Sequence, residues 1–345
     1  MRPQTRLKYN SYLTRLASLN GVADATQQFT ATPSVQQKLI DKQQESVDFL
    51  KKINFIPVTE MSAEIIGLSV TSTIAGRTAT VNPGTPRIGR DPTGLDNRLY
   101  TCKKTDFDTV ISYDKLDLWA KFPDFQVRCA NMVIEAQARD RIMIGWNGTS
   151  AAATTDRNAN TLLQDVNYGW LYHMRNDNAA RVLSDGADTT VGYTTKLTYG
   201  SAATADYVDL DALAWDLRES LLPVWTKDDP NLVCIIGNDL LKDKYFGLVN
   251  SDLDPMNKRA RDELLATKTL GGLKPEVVPF FPDGTILITS LANLSIYQQE
   301  GGNRRYVADE PKYNQIADYQ SSNDAYVIEN LELACMAENI ARHDG

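Results

Sequence analysis

Two extended segments separated by a run of backbone breakers restrict this chain more than any other feature. From Glu64 to Thr73 apolar and polar residues alternate, with Ile66, Leu68 and Val70 on one face. From Leu99 to Tyr113 an extended pattern recurs, Phe107, Thr109, Ile111 and Tyr113 sharing a face. Between them stand Gly76, Pro83-Gly84, Pro86, Gly89, Pro92 and Gly94, a stretch of about twenty residues too rich in breakers for any regular element. Loops of that length inside a folded protein are uncommon and are usually functional or disordered. The pattern predicts a long hairpin whose tip has no core of its own and packs on a neighbouring subunit.

Upstream of the hairpin the spacing turns helical. Tyr9, Tyr12, Leu13, Leu16 and Leu19 recur on one side of residues 4 to 20, and Asn20-Gly21 supplies a stop. Arg2, Arg6, Lys8 and Arg15 make this helix basic, with no acidic residue before position 20. Two readings of the basic face stay open: contact with DNA or an acidic internal protein, and packing on its own shell. Residues 21 to 32 are aperiodic and polar, an exposed tether. Thr32-Pro33 then starts a second helix that is expected to run to about Ile53, with Val35, Leu39, Val47 and Leu50 apolar.

Downstream, Pro123-Asp124 opens the longest helical pattern, through Phe125, Cys129, Met132, Val133, Ala136 and Met143 to Asn147-Gly148. At 1.5 Å per residue it would span about 37 Å, enough to serve as the spine of a domain. Leu162 to Met174 reads as a helix or as a strand and turn. A second lobe begins at Asp206, where Leu210, Leu213, Ala214, Leu217 and Leu221 form a helical stripe ended by Pro223. Leu232 to Ile236 is a strand, followed by a capped helix from Gly237-Asn238-Asp239. Extended segments are expected at Glu276 to Phe281, Thr285 to Thr289, Leu294 to Gln298 and Ala325 to Ile328, before an apolar tail from Leu331 to Ile340.

The chain has 345 residues, 42% hydrophobic and 23% charged, so it can build a sizeable core and is expected to fold in two lobes or one with extensions. A net charge of −8 gives no global reason to wrap nucleic acid. There is no secretory signal and no run near the roughly 20 apolar residues of a membrane span, so a cytoplasmic protein is expected. Cys102, Cys129, Cys234 and Cys335 are too widely spaced for a CxxC pair and read as small core hydrophobes.

Catalytic handles are missing from the sequence. The two histidines, His173 and His343, have no nucleophile elbow to serve and read as incidental. No phosphate-binding loop, dinucleotide fingerprint or metal-spaced His and Cys cluster occurs, so no catalytic residue, metal or cofactor is expected. Asp206, Asp209 and Asp211, and Lys227-Asp228-Asp229, could be imagined as paired carboxylates but read as solvated caps.

The order basic arm, long hairpin, spine helix, second lobe and returning strand resembles the tailed-phage capsid fold known as Hong Kong ninety-seven, an α+β architecture. Phe55-Ile56-Pro57-Val58 running into Ile66-Gly67-Leu68, Lys115 through Ala120, Phe122 through Phe125, Trp146-Asn147-Gly148, Leu162 through Val166 and Gly169-Trp170-Leu171 resemble the major capsid proteins of the phage P2 family. Arg2, Thr5, Arg6, Tyr12, Leu13, Leu19-Asn20-Gly21 and Pro33-Ser34-Val35 resemble that family's arm. The likeness covers nearly the whole chain.

The resemblance implies an internal arm over residues 1–57, an extended loop over 58–111, a peripheral domain over 112–205 and 321–345 with its spine helix at 123–147, and an axial domain over 206–320. It implies a subunit without enzymatic activity, forming hexamers and pentamers of an icosahedral virion shell around double-stranded DNA and assembled in the host cytoplasm. An internal scaffolding protein or protease and a portal protein at one vertex would be partners, and the shell would expand as DNA enters. Arg2, Arg6, Lys8 and Arg15 would meet scaffold or DNA, and Phe29, Thr30, Ala31 and Thr32 mark the accessible region for proteolytic trimming. Shells of this fold are sometimes cross-linked through lysine, asparagine and glutamate. Lys103 and Lys104 lie on the hairpin, but the other two members have no match, so ordinary salt contacts are expected. The rival readings are an encapsulin-like nanocompartment shell and an α+β hydrolase.

Overall fold

The computed structural model describes residues 1–65, 98–120, 125–250 and 268–344, the short pieces 68–70 and 93–95, and residues 75, 77, 89 and 122. Helix α1 (Pro3–Asn20) ends as its sequence requires, Gly21 taking a left-handed φ of 65° while its N–H caps the last turn. The tether is not loose. Ala25 and Phe29 are buried, and strand β1 (Phe29–Thr30) pairs with Arg304 and Arg305. Helix α2 (Pro33–Ser46) stops seven residues before the expected Ile53 because Val47 turns extended. Phe49, Leu50 and Ile53 then enter the core from turns, where burial outweighs helical propensity.

Strand β2 (Asn54–Val58) leads to the root of the hairpin. There β3 (Ser62–Glu64) and β4 (Leu68–Val70) pair with β5 (Thr93–Leu95) and β6 (Leu99–Thr101), β3 with β6 and β4 with β5. The breaker-rich tip lies almost wholly outside the described residues, as do Ile66, Gly67, Pro123 and Asp124. The returning arm does not stay with the hairpin. Strands β7 (Lys103–Asp106) and β8 (Thr109–Ser112) leave it to pair with the body, and α3 (Tyr113–Trp119) follows.

Spine helix α4 (Phe125–Asn147) buries Ala138, Ile142, Ile144 and Trp146. Against it packs α5 (Trp170–Asp177); the ambiguous segment from Leu162 to Met174 is thus turns through Gly169 and helix only from Trp170. A Cβ on Gly145 would lie 2.3 Å from the Trp170 ring, so glycine is what lets the indole reach the spine backbone. Next come β9 (Val182–Leu183), β10 (Leu197–Tyr199) and α6 (Leu210–Asp216), whose N-cap Asp209 accepts from the Ala212 N–H. A π turn continues α6 to Leu221 before Leu222 turns extended ahead of Pro223. Strand β11 (Leu232–Ile236) and helix α7 (Asn238–Asn250) fall where the pattern put them.

The remaining strands are β12 (Lys274–Glu276), β13 (Ile286–Ser290), β14 (Leu294–Gln299), β15 (Arg304–Glu310), β16 (Gln315–Ile328), β17 (Ala334–Ala337) and β18 (Ile340–Arg342). All but β18, which pairs with β10, complete two main sheets. The seven-stranded sheet runs β1-β15-β16-β14-β2, with β7 and β8 also on β16; the five-stranded sheet runs β12-β11-β13-β17-β9.

The expected boundary at residues 320 and 321 falls inside strand β16. The chain crosses between sheets at the short turn Leu291–Asn293 and crosses back at Leu331–Leu333. Residues 294–320 therefore share a sheet with the arm and hairpin strands, while β17 belongs with β11 and β13. One core underlies both sheets: Trp146, Trp170 and Tyr326 interlock at ring distances of 4.8 and 5.3 Å among residues such as Ile296, Leu287 and Met336.

Candidate assembly surfaces

The arm lies on the face of the seven-stranded sheet that the spine helix also covers, over Val307, Ile316 and Asp318. Tyr9, Leu16, Ala17, Ala25 and Phe29 cluster with Tyr113, Leu116, Val307 and Ile316. Polar contacts fix its register. Arg6 pairs with Asp309, which also accepts from the Tyr113 hydroxyl. Burial pushes the Asp309 carboxyl up, but these two donors outweigh it and hold the group below the usual carboxylate range. Lys8 donates to the carbonyls of Ala120 and Phe122 at 2.5 and 3.1 Å, and the Arg2 N–H donates to Asp117 at 3.0 Å. Arg15 is exposed. Of the basic residues flagged for scaffold or DNA, Arg6 and Lys8 thus already hold the arm to its own chain.

Two Arg–Asp pairs on β16 were not foreseen, and each is completed by the arm. Arg305 reaches both carboxylate oxygens of Asp318, at 3.0 and 2.6 Å, and donates to the Tyr12 hydroxyl at 2.9 Å. Deeper in, Arg141 of the spine helix bonds Asp324 at 3.1 Å and Ser322 at 3.0 Å, with both charged side chains nearly inaccessible. Its remaining terminal nitrogen donates to Gln43 of α2 at 2.9 Å, and the Gln43 amide donates to Gln137 at the same distance. A buried guanidinium is tolerable only when its N–H groups are met, and Gln43 meets one of them.

The region marked for trimming is less accessible than its composition suggested. Phe29 is buried, Thr30 pairs with Arg304, and the Ala31 N–H donates to the Asn303 carbonyl at 3.0 Å. Cleavage at Phe29 to Thr32 requires this strand to be lifted first.

The five-stranded lobe presents a different surface. Trp215, Val224 and Trp225 are 53%, 73% and 70% exposed. Arg218 lies over the Trp215 ring at 4.6 Å and bonds Glu219 at 3.2 Å, and Lys227 pairs with the same carboxylate. Trp215 therefore borders a short ladder of charge, and Trp225 stands exposed two residues before its Lys227. Exposed apolar surface of this kind marks protein contact sites. The sequence carried a signal in Trp225, set in a polar loop directly after Pro223 and Val224.

The remaining chemistry-bearing side chains make ties within the fold. His343, expected to be incidental in the tail, is buried; it bonds Asp188 at 2.7 Å and stacks on Tyr193 at 4.0 Å, clasping the segment before β10 to the C-terminal strand. Burial opposes ionisation of Asp188, yet hydrogen bonds from Thr190 and His343 hold its carboxyl well below the usual range. His173 bonds Asp177 one turn along α5. Asp206 and Asp211 are ties rather than solvated caps: Asp206 accepts from the Thr198 N–H and hydroxyl, and Asp211 accepts from Lys244 and the Gly271 N–H. Lys104 pairs with Asp106 at 2.8 Å, an ordinary salt contact. Burial pushes the Cys102 and Cys335 thiols up to about 12, so neither is a nucleophile at neutral pH. Among the described residues no cluster of His, Cys, Asp or Glu could hold a metal, and no helix is long and apolar enough to cross a membrane.

Spine helix, hairpin, arm and two linked sheets define a phage capsid fold. A chain of the satellite phage P4 procapsid that includes the size determination (Sid) protein superposes with a TM-score of 0.81 at 40% identity, covering 100% of this chain and 99% of that one. The capsid of an empty GTA particle shares the fold at a TM-score of 0.53 and 14% identity, covering 86% of this chain and 90% of that one. The family model for the phage major capsid protein of the P2 family matches residues 8–340. The capsid proteins of Escherichia phage P2 are 43% identical over 342 residues, 99% of this chain and 95% of theirs. The major capsid protein of Serratia phage KSP20 is 39% identical over 337 residues, 94% of this chain and 93% of that one. The chain belongs to the P2 family of phage major capsid proteins. It is a structural subunit of an icosahedral phage shell, and the nanocompartment and hydrolase readings give way.

Proposed function

We propose that copies of this chain join into hexamers and pentamers around the five-stranded lobe, which acts as the axial lobe, while α4 and the seven-stranded sheet form the peripheral lobe. The observation that carries this reading is the exposed Trp215 and Trp225 pair beside the Arg218, Glu219 and Lys227 ladder. A heterologous contact repeated around an axis closes into a ring, and an apolar patch edged by charge gives such a contact both area and register. The hairpin, rooted at Ser62–Glu64 and Leu99–Thr101, reaches over the adjacent subunit.

The arm faces the interior in this arrangement, where Arg2 and Arg15 meet an acidic scaffold or packaged double-stranded DNA. Trimming at Phe29 to Thr32 follows release of β1 from β15, and a portal occupies one vertex. The chain has no catalytic role, and assembly takes place in the host cytoplasm. Trp225→Asp tests the reading. Light scattering and negative-stain microscopy are expected to find folded monomer in place of shells; shells formed at the normal yield would overturn it.

A further inference from the structure

Two adjoining cavities lie between the arm and the body of the protein. The first, of about 100 Å³, is walled by apolar side chains including Leu39, Val133, Ile134 and Val307, and by Tyr9 of α1. The second, of about 180 Å³, shares Leu39, Gln137, Arg305 and Gln320 with the first and adds a polar wall of Gln36, Gln298 and Asn303. Tyr9, Gln36, Gln298 and Asn303 are each at least nine-tenths buried. The Tyr9 hydroxyl, the side-chain carbonyls of Gln36 and Gln298, and the Asn303 amide nitrogen have no hydrogen-bond partner among the described residues.

Buried polar groups in native proteins are met almost without exception, and interiors leave few voids larger than a water molecule. Here four unmet groups and two voids coincide under one segment. The charges in the walls are already paired, Arg305 with Asp318 and Arg141 with Asp324, so an ionic occupant would find no counter-ion. The unmet set asks for donors at the Gln36 and Gln298 oxygens and an acceptor at the Asn303 nitrogen. A carboxamide carries both, two N–H donors for the Gln36 and Gln298 oxygens and a carbonyl for the Asn303 nitrogen, with Gln36 and Gln298 oriented by their own bonds to Gln299 and Asp324. The neighbouring chamber, walled mostly by apolar side chains, matches one aromatic ring in volume.

We propose that the paired cavities form a binding site for a small neutral aromatic carboxamide, and that its occupancy holds the arm against the spine helix and sheet. The ring sits between Tyr9, Leu39 and Val133, and the amide turns toward Gln36, Gln298 and Asn303.

Benzamide is the probe, with acetamide and toluene as half-molecule controls, applied to the full-length chain. Benzamide is expected to raise the melting temperature saturably and to slow hydrogen exchange in α1 and α2, at concentrations where neither control acts. Ala130→Phe, which fills the apolar chamber, abolishes the response, and Gln36→Leu weakens binding about tenfold. Benzamide no more effective than its halves, an unchanged response in both variants, or protection confined to other elements would mean that the chambers hold water alone and would overturn the site. Should Ala130→Phe fail to fold, Gln36→Leu and the exchange map decide the matter. The measurement needs no assembly, so the monomeric Trp225→Asp chain serves equally and its outcome is separable from that of the shell reading.

Discussion

Arg141 shows how much one buried side chain can coordinate. It joins the spine helix, β16 and the arm through Asp324, Ser322 and Gln43, and its guanidinium lies 4.6 Å over the Phe107 ring. Removing one partner strands the other charge, so Arg141→Leu is expected to destabilise the chain by about 3–5 kcal/mol in urea unfolding. The double variant Arg141→Leu with Asp324→Leu should recover at least half of that loss, because no charge is then left buried. Gly145→Ala forces a methyl group against Trp170 and should cost about 1–3 kcal/mol in the same assay. Neither side chain of the Arg141 pair announced itself in the sequence. Arg141 sits in a helix of mixed polarity and Asp324 lies 183 residues away, beyond the reach of any local pattern. Gly145 was likewise invisible, since the indole that demands it belongs to another helix.

Among the elements, the arm is the one held by contacts to distant parts of the chain. It is pinned by charge: Asp309 is held by Arg6 and Tyr113 with its carboxyl below the usual range. A carboxylate depressed in the folded state adds stability that is present above its unfolded pKa and lost as pH falls through the folded one. Arm docking should therefore be constant from neutral pH down to about 5 and weaken below about 4, the ordinary carboxylate range. Hydrogen exchange in α1 followed against pH checks this, and Asp309→Asn should reduce the dependence to the part carried by Asp117, which Thr5 and Arg2 hold below the usual range. Helices α1, α4 and α7 and strand β11 were legible because each carries an apolar period or a continuous apolar run. Strand β15 and the first half of β16 were not. Arg304 through Glu310 and Gln315 through Asp324 are mostly polar, because one face is shared between the arm, which meets Arg305 and Asp318 beside Val307 and Ile316, and the spine helix, which meets Gln320 through Gln137. The tether misled for a related reason: its pairing with β15 depends on backbone, which composition does not reveal.

At the scale of the molecule, the two sheets share one core through Trp146, Trp170 and Tyr326. The lobes should therefore unfold together, and calorimetry of the monomeric Trp225→Asp chain is expected to give one transition. Two separated transitions would mean that the sheets are independent units. The overall architecture was readable from the order of its segments, whereas the crossings between sheets were not, because they are made on turns of three residues, Leu291–Asn293 and Leu331–Leu333. Strand β16 has the widest reach of any described strand. It is bonded along its length to β15, β14, β7 and β8, and so touches the arm's seat, the aromatic core and the hairpin's return. A slip of one residue would turn every side chain on it to the wrong face against four partners at once. The sheet thus behaves as a locked plate rather than a sliding one. When a shell of such plates changes its curvature, the plates must tilt whole, and the give has to come from what is bolted to their margins.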